Sequence, residues 1–505
     1  MLQSLFGVNL RPRAAAIAGG IFAQIGEALS AREDGAAAGA KPCDKNAIIR
    51  AFMQPLQIAI LAAGKGKRMH SALPKVLHLL GGKPLLAHVL TTAQSLNPRA
   101  ICIVSGSEDA VRAHFANADV VWARQDPPRG TGDALRCALA ALPRDGVTLV
   151  LFGADPLARA ATLRQVVAHA QTGALSLLTV DLDDAEGYGR VVRLPDGRVA
   201  AIVEHLDATP EQQKIREVNT GVMAAPTAAF ARWLATIEAR NASGEFYLTD
   251  VIALAVRDGV NVTTTSAASI TEALGVNSQR DLAELERRYQ RAQADALLDA
   301  GVALADPARI DVRGTLACGR DVTIDVGCIF EGHVTLGENV AIGAHCVLRN
   351  VSVAAGTVIA PFSHLEEAQI GAQCRIGPYA RIRPSTVLAD EVHIGNFVEV
   401  KASVLGEGSK ANHLTYVGDA TVGRDVNVGA GTITCNYDGA SKHRTVIEDD
   451  VHIGSGTLLV APVTIGHGAT IGAGTTVWKN APPEALTVNT KTQVARTDWK
   501  RPKKG

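Results

Sequence analysis

Three groups of residues in this chain have types and spacings that do chemistry. The first is Gly64-Lys65-Gly66-Lys67-Arg68-Met69, a glycine-rich turn carrying three cations directly after an apolar run. The backbone N–H groups of such a turn, with a helix N-terminus behind it, hold phosphate oxygens. It is not a G-x-x-x-x-G-K-[ST] loop, and Met69 stands where a dinucleotide fingerprint needs its third glycine. The second group is His413 in His413-Leu414-Thr415-Tyr416. A histidine titrates near ~6.5 and can take or give a proton at neutral pH, although a lone histidine on a coil is more often only a surface residue. The third group is basic: Arg383 in Arg381-Ile382-Arg383-Pro384 and Lys401 in Glu399-Val400-Lys401. Cations of this kind can pair with an anion such as phosphate or stand solvated at the surface.

Two kinds of element must position these residues. Leu56 to Ala62, Ala100–Ser105, Val147–Phe152 and Ala174–Val180 are buried-strand patterns, with helical stretches such as Leu85–Ser95 and Asp133–Ala141 between them. Such alternation predicts a parallel sheet with helices on both faces, and ligands on such sheets bind beyond the carboxyl ends of the strands. The glycine-rich turn lies at that edge. In the second half an aliphatic residue returns at every sixth position. One ladder is Ile324, Phe330, Leu336, Ile342 and Leu348; another is Ile370, Ile376, Ile382, Leu388, Ile394 and Val400; the last runs from Ile447 through Ile453, Leu459, Ile465 and Ile471 to Val477. A period of six fits neither helix nor strand, but it places one aliphatic on each wall of a prism, the mark of a hexapeptide-repeat parallel β-helix. The ladder shortens to five at Leu348 to Val353, Leu365 to Ile370 and Val400 to Leu405. His413 and Tyr416 are expected in an irregular stretch after that, with a further break at Asn436–Lys442, so that interruptions carry the chemistry. Between the two halves Ser278 to Ala300 is charged and helical, with Leu282, Leu285, Tyr289 and Ala292 on one stripe.

Composition narrows the function. The chain has 505 residues, enough for two or more domains, and 50 basic residues balance 50 acidic ones, which gives no support for a nucleic-acid or membrane-surface partner. The eight cysteines are scattered without a C-x-x-C pair and read as buried thiols of a reducing compartment. No apolar run approaches the ~18 residues of a membrane span. Arg11 and Arg13 precede an apolar Ala14 to Ile25 that loosely mimics a signal peptide. Residues 1–54 are expected to be an extension, disordered or not native, with Met53 as a possible true start. The expected domains are 55–278, a helical linker 279–301, and 302–505 with a basic tail.

Leu61-Ala62-Ala63-Gly64-Lys65-Gly66-Lys67-Arg68-Met69 followed by Leu73-Pro74-Lys75 resembles the start of sugar-nucleotide pyrophosphorylases. Gln125 with Gly130-Thr131-Gly132, Gly187-Tyr188-Gly189-Arg190, Ile202-Val203-Glu204-His205, Asn219-Thr220-Gly221, Gly244 to Asp250 and Gly275-Val276-Asn277 follow in order. Then come Gly395 to Glu399, His413 to Tyr416 and Gly431 to Gly439. Together, over about 55–505, they resemble the bifunctional N-acetylglucosamine-1-phosphate uridylyltransferase/glucosamine-1-phosphate acetyltransferase family. The resemblance implies a Rossmann-like α/β nucleotidyltransferase domain with a mixed, mostly parallel sheet, and a C-terminal left-handed parallel β-helix. It implies acetyl transfer from acetyl-CoA to glucosamine 1-phosphate, then uridylyl transfer from UTP with release of pyrophosphate. The UDP-sugar would feed peptidoglycan and lipopolysaccharide synthesis. It further implies Mg²⁺, a cytoplasmic homotrimer, and small molecules rather than nucleic acid or membrane as partners.

By the same resemblance Leu61, Ala62, Gly64, Lys65, Arg68 and Lys75 face the UTP phosphates. Gln125, Gly130 and Thr131 contact uracil, and Gly189, Glu204 and Asn219 hold N-acetylglucosamine. His413 is the base of acetyl transfer, which needs a neutral amine. Arg383, Lys401, Tyr416, Asn427 and Lys442 hold the sugar phosphate, and Ala430, Asn436, Tyr437, Ser455 and Ala473 hold acetyl-CoA. The chain departs from the family in four places. The family's Gly-Asp-x-Pro-Leu, whose Asp binds metal, here reads Gly153-Ala154-Asp155-Pro156-Leu157. A one-residue shift in extended backbone turns a side chain to the other face. Either the backbone readjusts and Asp155 joins Asn277 as metal ligand, or Asn277 remains alone and the uridylyltransferase is weakened. Asp133 replaces a His, Leu206 a Lys, and Thr490 an Arg that Lys491 would replace. The rival readings are a single-activity pyrophosphorylase on a trimer scaffold, an acetyltransferase with an impaired nucleotidyl half, and a non-catalytic β-helix binding protein.

Overall fold

The computed structural model describes residues 54–502 apart from 65, 107, 108 and 491. The expected N-terminal extension, Lys65 and Lys491 therefore lie outside the described residues. Pro55–Gly505 form one compact unit. Its first part is a sheet of nine strands: β1 (Leu56–Leu61), β2 (Ala100–Ser105), β3 (Val121–Arg124), β4 (Val147–Phe152), β5 (Leu175–Asp181), β6 (Arg190–Arg193), β7 (Val199–Val203), β8 (Glu217–Pro226) and β9 (Val262–Ser266). The path is β9-β5-β8-β4-β1-β2-β3, with β6 and β7 branching from β8. β1, β2, β3 and β4 are parallel, while β8 runs antiparallel to β4 and β5. Near-continuous apolar strands serve a sheet covered on both faces. Ile58 and Ile60 belong to a cluster with Val89, Leu90, Leu163 and Val166; Ala59 and Leu61 belong to another with Leu135, Phe230 and Trp233. The covering helices include α1 (Leu85–Gln94), α2 (Thr131–Ala141), α3 (Ala160–Gln171) and α4 (Thr227–Leu234).

The long helix α5 (Gln279–Asp299) starts on a capping box in which Ser278 and Asp281 bond each other's backbone. Its buried stripe is not wholly the expected one. Ala292 is exposed, and Leu285, Gln290 and Ala294 are buried. Gln290 reads as polar surface in the sequence, but its amide fits the free edge of the strand Ile310–Cys318. Its Nε2 donates to the Val312 carbonyl (3.0 Å) and its Oε1 accepts from the Val312 N–H (2.7 Å).

From Ala303 onward the chain coils into a parallel β-helix. Ile324, Ile342, Ile359, Ile376, Ile394, Ala411, Val428, Ile453 and Ile471 pair in turn along one wall. A second wall stacks Val312, Phe330, Leu348, Leu365, Ile382, Val400 and Val417. The third carries Leu336, Val353, Ile370, Leu388, Leu405, Val422, Ile447 and Ile465. These rungs form one core. Cys328, Cys346 and Cys374 lie at the interior, each thiol donating to a carbonyl of the next coil.

The ladder is more regular than expected. Ala411 and Val417 are fully buried rungs, so His413 and Tyr416 stand on an ordinary coil and not in an irregular stretch. A methyl group is a weak hydrophobic signal, and Ala411 hid the rung. Coils advance by 17 or 18 residues, as the Cys374–Thr357 and Arg349–Glu331 bonds show. The true interruption is the coil spanned by the Arg424–Asp449 bond, 25 residues apart, which accommodates the loop at 436–443.

Candidate active sites

A cavity of about 870 Å³ opens at the carboxyl ends of β1 and β4. Leu61, Ala62, Gly64, Lys75, Gln125, Gly130, Thr131, Asp155, Gly189, Glu204, Asn219 and Asn277 all line it. Arg68 is exposed and does not, though its charge acts on Lys75; Lys67, another of the three cations of the turn, does line it. The glycine loop leads into a single 3-10 turn, Lys67–Met69, instead of the helix expected after it. A turn this short has almost no macrodipole, so phosphate binding here rests on loop N–H groups and on Lys75. Gly66 is required by packing, since a Cβ there would stand 2.8 Å from that of Lys75 at a φ of +57.

At the far side of the cavity Glu204 accepts from Thr249 Oγ1 (2.9 Å), and burial pushes its carboxyl above the usual range. The Asn219 N–H donates to the Gly189 carbonyl (2.9 Å). The Asn219 Oδ1 is buried without a donor among the described residues. A buried acceptor left open costs about 1–3 kcal/mol, and this one belongs to a residue that lines the cavity. Thr249 was quoted within its motif but given no role; its position one residue before an acidic helix start was the available signal.

The displaced carboxylate reaches the same cavity. β4 ends at Phe152, and Gly153 and Ala154 form a turn, so strand alternation no longer dictates the facing of Asp155. Ala154 is buried and its carbonyl accepts from the Val276 N–H (3.0 Å). The Asp155 Oδ1 lies 2.4 Å from where a Cβ on Gly275 would be. Burial raises its carboxyl to about 7, opposed by the Lys75 ammonium. Lys75 Nζ donates to Asn277 Oδ1 (3.1 Å). Asp155, Lys75 and Asn277 thus meet at one point. Two oxygen donors there suit a hard divalent cation, which takes few protein ligands beside phosphate and water. Among the described residues no group of three or more His, Cys, Asp or Glu forms a metal cage.

The second site follows from two rows on the β-helix. The row just after the second wall's rungs reads Arg313, Glu331, Arg349, Glu366, Arg383, Lys401. Signs alternate down to Glu366, and each charge has a neighbour: Arg313–Glu331 (3.1 Å), Arg349–Glu331 (2.6 Å), Arg349–Glu366 (3.4 Å). Then two cations follow one another. Arg383 turns to Glu399 (2.7 Å) and Lys401 to Asp419 (3.4 Å). Lys442 joins them from the inserted loop, held below the ordinary lysine range by the Lys401 ammonium. Asn436 Nδ2 bonds the Tyr416 hydroxyl (3.3 Å) and the Asp419 carboxylate. Asn436, expected at acetyl-CoA, thus also touches the cation cluster through Asp419. Asn427 does not join it within one chain; it lies on the first wall between Lys410 and His452. Asp419 went unnoticed, although its spacing of 18 from Lys401 is one coil.

The other row is a corner. His345, Phe362, Tyr379, Phe397, Leu414, Gly431, Gly456 and Gly474 occupy it on successive coils, all with positive φ. His345, Phe362, Tyr379 and Phe397 stack at 5.0–5.3 Å between ring centroids. Below Leu414 the row is glycine. His413, Ala430 and Ser455 precede these corner residues and bond from coil to coil: Gly431 N–H to His413 O (3.3 Å), Gly456 N–H to Ala430 O (2.7 Å), Gly474 N–H to Ser455 O (2.8 Å). A Cβ on Gly456 or Gly474 would meet nothing closer than 3.9 Å. The backbone does not need glycine here, because Phe362, Tyr379, Phe397 and Leu414 hold a positive φ four coils running. Ala430, Ser455 and Ala473 add only small side chains beside this row, so the corner is a bare strip below His413. Tyr437 is exposed in the 436–443 loop, and Thr490 is exposed near the tail.

Residues 58–238 match the MobA-like NTP transferase domain, 312–405 the GMPPB C-terminal domain, and 444–477 the bacterial transferase hexapeptide repeats. The bifunctional protein GlmU of Chromobacterium violaceum is 59% identical over 453 residues, covering 90% of this chain and 99% of that protein. The chain belongs to the bifunctional GlmU family. The GlmU proteins of Nitrosospira multiformis and Paraburkholderia xenovorans are 57% and 58% identical over 90% and 89% of the chain, and 99% of each of those proteins.

Proposed function

We propose that the chain makes UDP-N-acetylglucosamine in two steps. It acetylates glucosamine 1-phosphate from acetyl-CoA, then transfers the uridylyl group of UTP to N-acetylglucosamine 1-phosphate and releases pyrophosphate. We assign the first step to 302–505, the second to 55–278, and the link between them to 279–301.

The observation that carries this reading is the glycine row that begins one coil below His413, on the same prism that bears Arg383, Lys401 and Lys442 in succession. In acetyl transfer the sugar amine attacks the thioester carbonyl as His413 takes its proton. The new C–N bond replaces the C–S bond, and the coenzyme leaves as its thiol. Arg383, Lys401 and Lys442 offset the sugar phosphate, and the strip takes the coenzyme arm. Asn427 stands on a different wall from the cation cluster, which favours a homotrimer in which a second copy completes the site. In uridylyl transfer the sugar phosphate oxygen attacks the α-phosphorus while Lys75 and the loop N–H groups balance charge and hold the line of attack. Asp155 and Asn277 would hold Mg²⁺, which when bound neutralises charge across the phosphate oxygens. An enzyme fed by UTP and acetyl-CoA works in the cytoplasm, and among the described residues no helix is long and apolar enough to cross a membrane.

The test separates the two halves. His413→Ala should lower acetyl transfer by at least about 10²-fold and leave UDP-sugar synthesis intact. Survival of both activities would remove His413 as the base.

A further inference from the structure

We infer that Asp133 sets the base selectivity of the nucleotidyl site by fixing which end of the Gln125 amide faces the ligand. The inference rests on the reading that Gln125 contacts the pyrimidine.

Gln125 follows β3 and is 4% exposed. Its own N–H donates to the Ser105 carbonyl (2.9 Å), which anchors it at the cavity wall beside Pro127 and Pro128. Its side-chain nitrogen has two hydrogens, and both are used. Nε2 donates to the Gly130 carbonyl (2.9 Å) and to Asp133 Oδ2 (3.0 Å). Asp133 sits in the first turn of α2, where a carboxylate is favoured by the helix N-terminus. A carbonyl and a carboxylate can only accept. Turning the amide over would set Oε1 against two acceptors at hydrogen-bond distance and leave both unpaired. The orientation is therefore chemically determined and not a matter of an arbitrary amide flip.

Its consequence concerns the ligand. Oε1 has no donor among the described residues and is not sealed off in the interior, so Gln125 offers the cavity an acceptor and nothing else. Uracil carries a donor at N3–H. Cytosine has a bare acceptor at N3, which would face Oε1 acceptor to acceptor. A site built on one buried hydrogen bond rejects a ligand that cannot make it far more strongly than a shape mismatch does. Asp133 touches no ligand in this account; it is a positioning residue for Gln125.

The experiment titrates the full-length chain with UTP and, separately, with CTP, and compares wild type with Asp133→Asn, Asp133→Glu and Gln125→Ala. Asn can present either a donor or an acceptor to Gln125, so the amide is free to turn. We expect Asp133→Asn to lower the UTP-over-CTP binding ratio about tenfold or more, the scale of one buried hydrogen bond. Asp133→Glu, still acceptor-only, should restore most of it. Acetyl-CoA turnover by the same chains, unchanged, reports intact folding, and Asp133→Ser replaces the Asn variant if that one is unfolded. A ratio within twofold of wild type in the freed variant, with Gln125→Ala lowering it, overturns the role of Asp133. A ratio unmoved even by Gln125→Ala overturns the placement of the base at Gln125, and the inference with it.

Discussion

The β-helix coils above His413 and those below it share one backbone and differ in what they leave unsatisfied. Above, the charged row alternates in sign and the corner stacks His345, Phe362, Tyr379 and Phe397 ring on ring. Every group there is answered by a neighbour in the next coil. From Arg383 onward two cations stand in succession and a third arrives on a loop, and below His413 the corner is stripped to glycine. The same φ at Phe397 and Gly456 shows that this is no demand of the fold. A repeat protein makes a site by withholding the partner that its repeat would otherwise supply.

The largest expected effect comes from giving the lower coils the upper corner. Gly456→Phe should cut acetyl transfer by at least about 10²-fold, because a ring in the strip displaces the coenzyme from His413. Stability should fall by only about 1–2 kcal/mol, the cost of a left-handed L residue. A folded variant with a normal KM for acetyl-CoA would remove the strip from the coenzyme site. Next, Lys401→Ala should raise the KM for glucosamine 1-phosphate about 10- to 100-fold, the scale of a charged hydrogen bond. Glu331→Gln, in the balanced part of the row, should leave that KM unchanged and cost under about 1 kcal/mol. Equal effects from the two would erase the distinction between the halves.

A smaller effect concerns the inserted loop. The Asp438 carboxylate accepts from the N–H groups of Ala440 (2.9 Å) and Ser441 (2.7 Å) and pairs with His443 Nε2 (2.6 Å). Those bonds hold its pKa well below the usual value of 3.8. The folded pKa being depressed, the clasp is fully present above the unfolded value and is lost as pH falls from about 4 toward the folded one. Acetyl-CoA binding at 436–437 should therefore weaken at acid pH beyond what substrate ionisation explains, and Asp438→Asn should show the weakened binding at pH 7. A variant binding acetyl-CoA like wild type at both pH values would leave the clasp without a role.

Much of this was legible in the residues. Apart from Phe330 and Thr434 the rungs from Ile324 to Val477 are aliphatic and spaced by the walls, and the cavity residues announced themselves as short motifs tied to strand ends. Three things were not. The positive φ shared by Phe362 and Gly456 is invisible, because phenylalanine gives no hint of a left-handed corner. Gln290 reads as solvent-facing, and only the strand edge opposite explains its burial. Which way Asp155 faces stayed open in the sequence, since strand alternation says nothing past the point where β4 ends. In each case the deciding fact is a long-range neighbour and not a local preference.

Gln290 has a consequence of its own. A coil stacked on parallel coils is a template, and its outermost strand would accept another chain's strand as readily as its own next turn. By occupying both the N–H and the carbonyl of Val312, a side chain from α5 closes that template at one end. Removing it would leave the Val312 backbone open to pairing at that end of the column.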